Sequence, residues 1–279
     1  MKTDKNQIAL VVHACDRYRI LFKAFEHFFK KNWPLMDSVN SYFLTEELDH
    51  RSDRFTNIKT GRGEWSDRLR TGLQQISEPF VVYLQEDVWL NKPVNEKTLR
   101  EIFAFAVTEN PLLVKLHSSE VYQTDPTGKV FGGLLLSKLD NHASKYLMSH
   151  QTSVWNREFL ISQLLKSEHP WRNERKGTRR LKKLDQPLYQ IDLLAENGKP
   201  AINQNISNEF RGEYQTVSFN GMLNKNARPF IEELMASNEG DVQAYGNRLN
   251  HNYLNQLTHD GLPKPKKPNL IKKYLSFFR

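Results

Sequence analysis

Two short runs of almost uninterrupted apolar residues place the strongest constraint on what this chain can fold into. Residues 7–14 read QIALVVHA, and residues 80–84 read FVVYL. Runs of this length without polar alternation are typical of central strands that are buried on both faces of a parallel sheet. A helical pattern follows the first run, and residues 38–44 then read as a second strand. This β-α-β opening predicts a parallel sheet with a right-handed crossover.

The patterns along the rest of the chain continue the alternation of strands and helices. Helical spacing is present at residues 65–76, 95–108, 155–165 and 185–195, while residues 112–117 and 130–136 read as strands. Residues 49–63 read as a loop with a short edge strand, and residues 172–183 are polar enough to predict a loop. We therefore predict an α/β, Rossmann-like fold with a mostly parallel sheet flanked by helices. We expect a catalytic domain at residues 1–200, a helical extension packed on it at 201–262, and a basic amphipathic tail at 263–279.

Composition and charge exclude several classes of protein. The single cysteine, Cys15, excludes an internal disulfide framework and a cysteine-rich metal site. No apolar run reaches the ~18 residues that span a bilayer, and the first residues lack a signal-peptide pattern, so we expect a cytoplasmic protein. The net charge of +8 favours partners that carry phosphate. Its basic clusters fall in a predicted loop and in the tail, which argues against a nucleic-acid-binding face.

An acidic pair directly after a buried strand points to a specific chemistry. The strand pattern of residues 80–84 runs into Gln85, Glu86 and Asp87. Ligands of open α/β sheets lie outside the carboxyl ends of the strands, and two carboxylates there can hold a divalent cation that binds a diphosphate. The alternative is an exposed acidic turn without function. No glycine-rich phosphate loop follows the first strand, which makes a nucleotidyltransferase the weaker enzymatic hypothesis.

Several blocks of the sequence, taken in order, resemble the GT-A glycosyltransferases, and in particular bacterial enzymes that build capsular polysaccharide, lipopolysaccharide and other surface glycans. The blocks lie between residues 8 and 181 and are VVHACDRY (11–18), WP (33–34), WSDR (65–68), YLQEDVWL (83–90), QTSVWNREFL (151–160) and PWRNE (170–174). The resemblance implies transfer of a sugar from a nucleoside diphosphate, most simply UDP, to a hydroxyl of a surface glycan or glycolipid. It also implies Mn²⁺ or Mg²⁺ as cofactor. Inversion at the sugar carbon is favoured over retention, and the sequence leaves that choice open.

The resemblance also assigns residues to the donor site. Asp87 matches the aspartate that touches the metal in the family. Glu86 stands where the family pattern has a second aspartate, which leaves direct metal dependence open. The remaining matched positions that face the nucleotide or the donor sugar are Asp16, Asp67, Arg68, Gln85, Gln151 and Ser153. Helix capping by Asp16, Asp67 and Ser153 is the competing role for these three residues, and a solvated surface position is the competing role for Arg68.

Glu174 is the candidate general base that takes the proton of the acceptor hydroxyl. Arg172, Arg175 and Lys176 flank it in sequence, and we expect these charges to lower its pKa. The alternative is a surface salt bridge. Core packing is the favoured role for Trp65 and Trp155, with stacking on a sugar or base as the other.

The tail interleaves basic and apolar residues from Lys264 to Arg279 without an acidic residue. In a helix, its apolar side chains fall on one side, which is typical of a segment that lies on an anionic membrane. We therefore expect peripheral contact with the inner face of the membrane. Docking of the same residues on the parent domain or on a second subunit is the alternative.

Overall fold

The structure is a computed structural model that describes residues 6–199 and 210–264. The chain divides into two compact units, Met1–Val217 and Ser218–Arg279. The candidate site lies in the first unit. The predicted boundaries at residues 200 and 262, and the packing of the extension on the first domain, stay predictions.

The strands and helices of the first unit alternate as an α/β chain does. Its strands are β1 (Ile8–His13), β2 (Asn40–Thr45), β3 (Thr56–Lys59), β4 (Phe80–Gln85), β5 (Val88–Lys92), β6 (Leu113–His117), β7 (Thr124–Phe131), β8 (Leu134–Leu139), β9 (Ser153–Asn156), β10 (Tyr189–Glu196) and β11 (Gly212–Thr216). Its helices are α1 (Phe22–Asn32), α2 (Trp65–Leu73), α3 (Glu96–Glu109), α4 (Arg157–Gln163) and α5 (Pro170–Leu184), with a 3₁₀ helix over Asp16–Leu21 before α1.

These strands form one sheet in the described part of the chain, with the order β3-β2-β1-β4-β9-β6-β10-β11-β5 and with β8 and β7 attached beside β10. The pairs β2–β3, β1–β2, β1–β4, β6–β10 and β10–β11 are parallel. Strand β9 lies antiparallel between β4 and β6. Because β4 and β6 therefore run in the same direction, their carboxyl ends meet at one edge of the sheet. The predicted α/β, mostly parallel fold is confirmed.

Alternate side chains of the central strands pack against helices on opposite faces of the sheet. On β1, Ala9 and Val11 belong to the core that includes α2, α4 and α5. On the other face, Phe22 and Phe25 of α1 pack against Phe43 of β2, with ring centroids 4.8 and 6.0 Å apart. Burial on both faces is the physical reason for the apolar runs that the sequence shows.

Three predicted segments have a different structure from the one expected. Residues 172–183 belong to α5, whose buried face is made of Asn173, Gly177, Thr178 and Leu181 and therefore lacks the apolar stripe that marks most helices. Residues 185–195 contain β10 instead of a helix, because their apolar run is a buried central strand. Trp155 lies on β9, and the helix begins only after Asn156, whose side chain accepts from the Phe159 amide at 3.0 Å.

The second unit contains a two-stranded sheet and two helices in its described part. These are β12 (Ser218–Phe219), β13 (Met222–Leu223), α6 (Arg228–Met235) and α7 (Gly240–Leu254). They provide the predicted helical C-terminal extension. Residues 265–279 of the predicted tail lie outside the described residues. Within residues 6–199 and 210–264, we find no helix with the length and apolar character needed to cross a bilayer.

Candidate active site

A cavity of about 600 Å³ opens at the carboxyl ends of β1 and β4. The two strands are paired in register from Ile8 with Phe80 to His13 with Gln85, so the residues that follow them emerge side by side. Three further segments complete the wall: the 3₁₀ helix, the start of α2 and the start of α5. The lining residues are 13–15, 17, 18, 64, 65, 68, 85–87 and 169–171. The cavity therefore has the position in which open α/β sheets bind ligands.

The acidic pair lies in this cavity. Glu86 is buried, and its carboxylate accepts a hydrogen bond from the Cys15 amide at 3.3 Å, while Asp87 is partly exposed. Burial raises the pKa of Glu86, and the neighbouring charge of Asp87 raises it further. Burial also raises the pKa of Asp87. The raised pKa values mean that the ionised forms of both carboxylates are destabilised here. A bound cation would stabilise these ionised forms.

The pair has part of the donor set that a hard divalent cation requires. Within the described residues, no group of three or more Asp, Glu, His or Cys side chains is arranged to hold a metal ion. Mg²⁺ in particular is commonly held by one or two carboxylates together with phosphate oxygens and water. Asp87, with the more enclosed Glu86 beside it, fits a cation that is bound jointly with a diphosphate.

Arg68 brings a buried positive charge to the same cavity. Its guanidinium donates to the carbonyl oxygen of Ala14 at 3.0 Å, and its Nε lies 3.7 Å from Glu46 Oε1. The residue is 7 % exposed, in contrast to the solvated surface position that was the alternative role. A guanidinium fixed at the end of β1 is well placed to meet the negative charge of a ligand.

Asp16 follows β1, but its carboxylate is directed at the loop after β2. Its Oδ1 accepts from the Glu46 amide at 2.9 Å, and its Oδ2 accepts from the amides of Glu47 and Leu48, each at 2.8 Å. The predicted helix-capping role is wrong, because the residue before the 3₁₀ helix is Cys15 and no side chain caps it. Contact of Asp16 with a nucleotide stays a prediction.

Asp67 holds the wall of the cavity and does not line it. Its carboxylate accepts from the Ser167 amide at 3.1 Å. The neighbouring Ser66 exchanges two hydrogen bonds with Glu168, from the Ser66 amide to the Glu168 carbonyl at 3.1 Å and from the Glu168 amide to the Ser66 hydroxyl at 2.9 Å. The start of α2 is thus fastened to the segment that leads into α5.

The buried Glu168 carboxylate links the segment that leads into α5 to the helix itself. It is 3 % exposed and accepts from Asn173 Nδ2 at 2.7 Å and from Arg180 at 3.2 Å. We expect Glu168→Ala to lower the free energy of unfolding by about 2–4 kcal/mol, because Arg180 and Asn173 lose a buried acceptor. Thermal or urea unfolding followed by circular dichroism measures this change.

Glu109→Ala is the matched control, because its ion pair with Lys129, at 2.8 Å, is exposed on both sides. It is expected to cost less than ~1 kcal/mol. Equal losses in the two variants would contradict the role given to Glu168.

Gln151 and Ser153 lie at the start of β9, away from the cavity lining. The Gln151 side-chain oxygen accepts from the Tyr214 hydroxyl at 2.7 Å, and the Ser153 hydroxyl donates to the Gln151 carbonyl at 2.9 Å. Capping by Ser153 is wrong, because Ser153 begins a strand and Asn156 caps α4. Donor binding by these two residues stays a prediction.

Glu174 lies one turn into α5 and does not line the cavity. Its carboxylate accepts from the His150 amide at 3.1 Å. Burial raises its pKa, although that amide and the charge of Lys115 act in the opposite direction. The predicted lowering by Arg172, Arg175 and Lys176 is wrong, because these side chains are exposed to solvent. A raised pKa makes the carboxylate a stronger base.

A buried polar cluster lies beside Glu174. Lys115 is fully enclosed, donates to Ser149 Oγ at 2.6 Å and lies 4.7 Å from the centre of the Tyr122 ring. Burial lowers the pKa of Lys115 to about 7, while Glu174 raises it. The Tyr122 hydroxyl pairs with His117 Nε2 at 3.2 Å. The cluster adjoins Glu174 through the chain, because Ser149 directly precedes His150, whose amide donates to Glu174.

His13 and Trp171 are two of the cavity residues that sequence reasoning missed. His13 is 3 % exposed, and neither ring nitrogen has a hydrogen-bond partner within the described residues. Burial and then the charge of Arg68 lower its pKa, so the ring is neutral. Trp171 is 67 % exposed at the start of α5. The place of Trp171 in the block PWRNE was a signal that could have identified it as a site residue. The sequence around His13 shows only the end of a buried strand and gives no such signal.

Trp155 and Trp65 follow the favoured prediction of core packing. Trp155 is 1 % exposed and stacks on Phe159 with ring centroids 6.2 Å apart. Trp65 is 8 % exposed, and its ring lies 4.1 Å from that of His150, yet one side of it also lines the cavity.

Comparisons with known proteins find similarity in solved structures alone. No family model and no curated protein sequence matches the chain. The structure of S. aureus TarS residues 1–349 is similar with a TM-score of 0.48, 12% identity and coverage of 90% of this chain and 71% of that one. Structures of the same fragment in complex with UDP and with UDP-GlcNAc give TM-scores of 0.48 and 0.47. The chain spans 43% of the longer TarS structure.

Proposed function

We propose that this protein is a glycosyltransferase that moves a sugar from a nucleoside diphosphate, most simply UDP, to a hydroxyl group of a glycan or glycolipid. The observation that carries the proposal is the acidic pair Glu86–Asp87 at the carboxyl end of β4, inside a cavity of about 600 Å³ that also contains Arg68. A nucleotide sugar has a diphosphate at its centre and rings at both ends. The cavity contains charged side chains that can bind the diphosphate and aromatic side chains that can contact the rings.

Asp87, with Glu86, would hold a Mn²⁺ or Mg²⁺ ion, which supplies positive charge to the diphosphate leaving group when it is bound. Arg68 adds a second positive charge that is already fixed by its bond to the Ala14 carbonyl. Charges that are fixed before the reaction stabilise the leaving group without a cost of reorganisation. Trp65 and Tyr18 in the lining provide surface for a base or sugar ring.

Glu174 is the proposed general base, and it makes the reaction an inverting one. Its carboxylate is partly enclosed and is held by the His150 amide, so its orientation is fixed. In an inverting transfer the acceptor oxygen attacks from the face opposite the leaving group while the base removes its proton. Since Glu174 lies one turn beyond the part of α5 that lines the cavity, the acceptor is expected to enter along the start of α5.

Product analysis tests this proposal against its nearest competitor. The purified protein is incubated in Mn²⁺ or Mg²⁺ with UDP-, GDP- and CMP-sugars and, separately, with nucleoside triphosphates and a sugar phosphate, and the released products are identified by chromatography. A glycosyltransferase releases the nucleoside diphosphate (or CMP), also by slow hydrolysis without an acceptor. A nucleotidyltransferase gives pyrophosphate from a nucleoside triphosphate and a sugar phosphate instead. Binding of single-stranded nucleic acid without binding of any nucleotide sugar would contradict both the glycosyltransferase and the nucleotidyltransferase hypotheses.

We propose separately that the basic tail brings the protein to an anionic membrane, where a lipid-linked acceptor would lie. Lys264 to Arg279 carries six basic residues and no acidic one, and each Lys or Arg near an anionic membrane contributes roughly 1 kcal/mol to binding. We expect the full chain to sediment with vesicles of anionic lipid at low salt, and a form that ends at Lys264 to stay in solution. Ending there keeps the bonds of Thr258 with Leu262.

Vesicles of neutral lipid serve as the control for this experiment, since they lack the attracting charge. Equal sedimentation of the two forms with anionic vesicles would show that the tail is not what binds the membrane.

A further inference from the structure

The indole of Trp171 is the large aromatic side chain that this fold leaves exposed at the cavity. It is 67 % exposed and lines the cavity from the start of α5. Trp155 and Trp65, in contrast, are almost fully enclosed. Exposure of a tryptophan costs the free energy that its burial would have gained. Core packing therefore does not explain this residue.

The backbone around Trp171 is fixed before any ligand arrives. Pro170 occupies the first turn of α5, where its ring restricts the backbone to a helical angle. His169 caps the helix, with Nδ1 accepting from the Arg172 amide at 3.3 Å, and its ring lies edge-on to the indole with centroids 6.3 Å apart. The bonds of Ser66 and Glu168 hold the segment that leads into this turn. A ring on a backbone held in this way can bind a ligand with little further loss of backbone entropy.

The position of Trp171 relative to Glu174 indicates which ligand it faces. The two residues are three apart on α5, and residues at this spacing are neighbours on a helix surface. A general base must lie within hydrogen-bond reach of the acceptor hydroxyl. A flat surface one turn before the base is therefore placed for the ring that carries this hydroxyl. A sugar ring presents C–H groups on one face, and these are attracted to the electron-rich face of an indole.

We infer that Trp171 forms the acceptor subsite, a platform on which the sugar ring of the acceptor stacks while Glu174 meets its hydroxyl. The inference rests on the proposed function and names the class of acceptor, a glycoside with an exposed apolar ring face. It assigns the nucleotide to the rest of the cavity, so the platform contributes to acceptor binding and not to nucleotide binding.

Two binding measurements test the inference. Saturation-transfer NMR, with UDP and Mg²⁺ present, follows methyl glucoside, methyl galactoside and methyl N-acetylglucosaminide, and calorimetry follows UDP. We expect Trp171→Ala to weaken binding of the best glycoside at least ~tenfold and to leave the Kd of UDP within about twofold. Trp171→Phe, which keeps an aromatic face, is expected to retain most of the glycoside binding. Phe219→Ala removes an aromatic ring of similar exposure, 66 %, in the second unit and is expected to change neither measurement.

Three results would overturn the inference: unchanged glycoside binding in Trp171→Ala, an equal loss of UDP binding, which would place the nucleobase on the indole, or no saturation transfer to any of the glycosides in the unmodified protein. Failure of the proposed function looks different, because UDP then does not bind to the unmodified protein at all.

Discussion

Asp87→Asn is expected to lower the rate of donor cleavage by roughly 100- to 1,000-fold, the loss that follows when one fixed stabilising group is removed from an enzyme. The carboxylate is proposed to hold the cation that neutralises the leaving diphosphate, and an amide oxygen binds such a cation far more weakly. Release of UDP from a UDP-sugar, followed over a range of Mn²⁺ and Mg²⁺ concentrations, measures this effect. Raising the metal concentration is expected to restore part of the rate.

The same substitution is expected to leave stability intact. The side chains of Glu86 and Asp87 repel each other, so the loss of one charge removes an unfavourable interaction. The melting temperature should therefore be unchanged or higher. Asp125→Asn, at an exposed position of β7, is the control and should keep the full rate. Wild-type turnover in Asp87→Asn with either metal present would show that the pair does not hold a catalytic cation.

Glu174→Gln is expected to lower transfer to an acceptor by ~10²- to 10⁴-fold while the Kd of UDP stays the same. The amide oxygen of glutamine can still accept from the His150 amide, so the contact that holds α5 is kept and the ability to take a proton is lost. Transfer to the best methyl glycoside measures the rate, and calorimetry measures UDP binding. Glu158→Gln, whose side chain is 72% exposed on α4, is the control.

The pH profile separates a base from a structural residue. A base acts in its ionised form, so its contribution is present above its pKa and is lost as the pH falls through it. Because burial raises the pKa of Glu174, the acidic limb of the kcat profile is expected at a higher pH than for a solvent-exposed glutamate. This limb should be missing from the residual activity of Glu174→Gln. A loss of UDP binding in the variant would instead place Glu174 in the nucleotide site or in the structure.

The parts of the fold that the sequence predicts are those set by local patterns. Strands β1 and β4 are continuous apolar runs, and the acidic pair follows β4 directly, so both the sheet and the place of Asp87 can be predicted from the sequence. Helix α5 cannot be predicted in this way. Its buried face consists mainly of small and polar residues, so its composition resembles that of a loop. Two of them bond to distant segments: Asn173 donates to the Glu168 carboxylate, and the Thr178 hydroxyl accepts from the Met148 amide.

The contacts that decide what each site residue does are distant in the sequence. Asp16 meets the amides of residues 46–48 about thirty positions away, and Ser66 meets Glu168 about a hundred positions away. No local pattern carries such pairings. The pKa of Glu174 was misjudged for the same reason, because its neighbours along the chain point to solvent while distant residues enclose it.

The antiparallel strand β9 also limits where this chain can accept extra residues. Its start is fixed by three bonds, from the Leu116 amide to the Thr152 carbonyl, from Tyr214 to Gln151, and from the His150 amide to Glu174. A peptide tag inserted at residues 149–152 would displace the partner of Glu174 and shift the strand between its neighbours. The exposed bulge around Gly128, with open space around it, is a point where a label can be carried without disturbing this edge of the sheet.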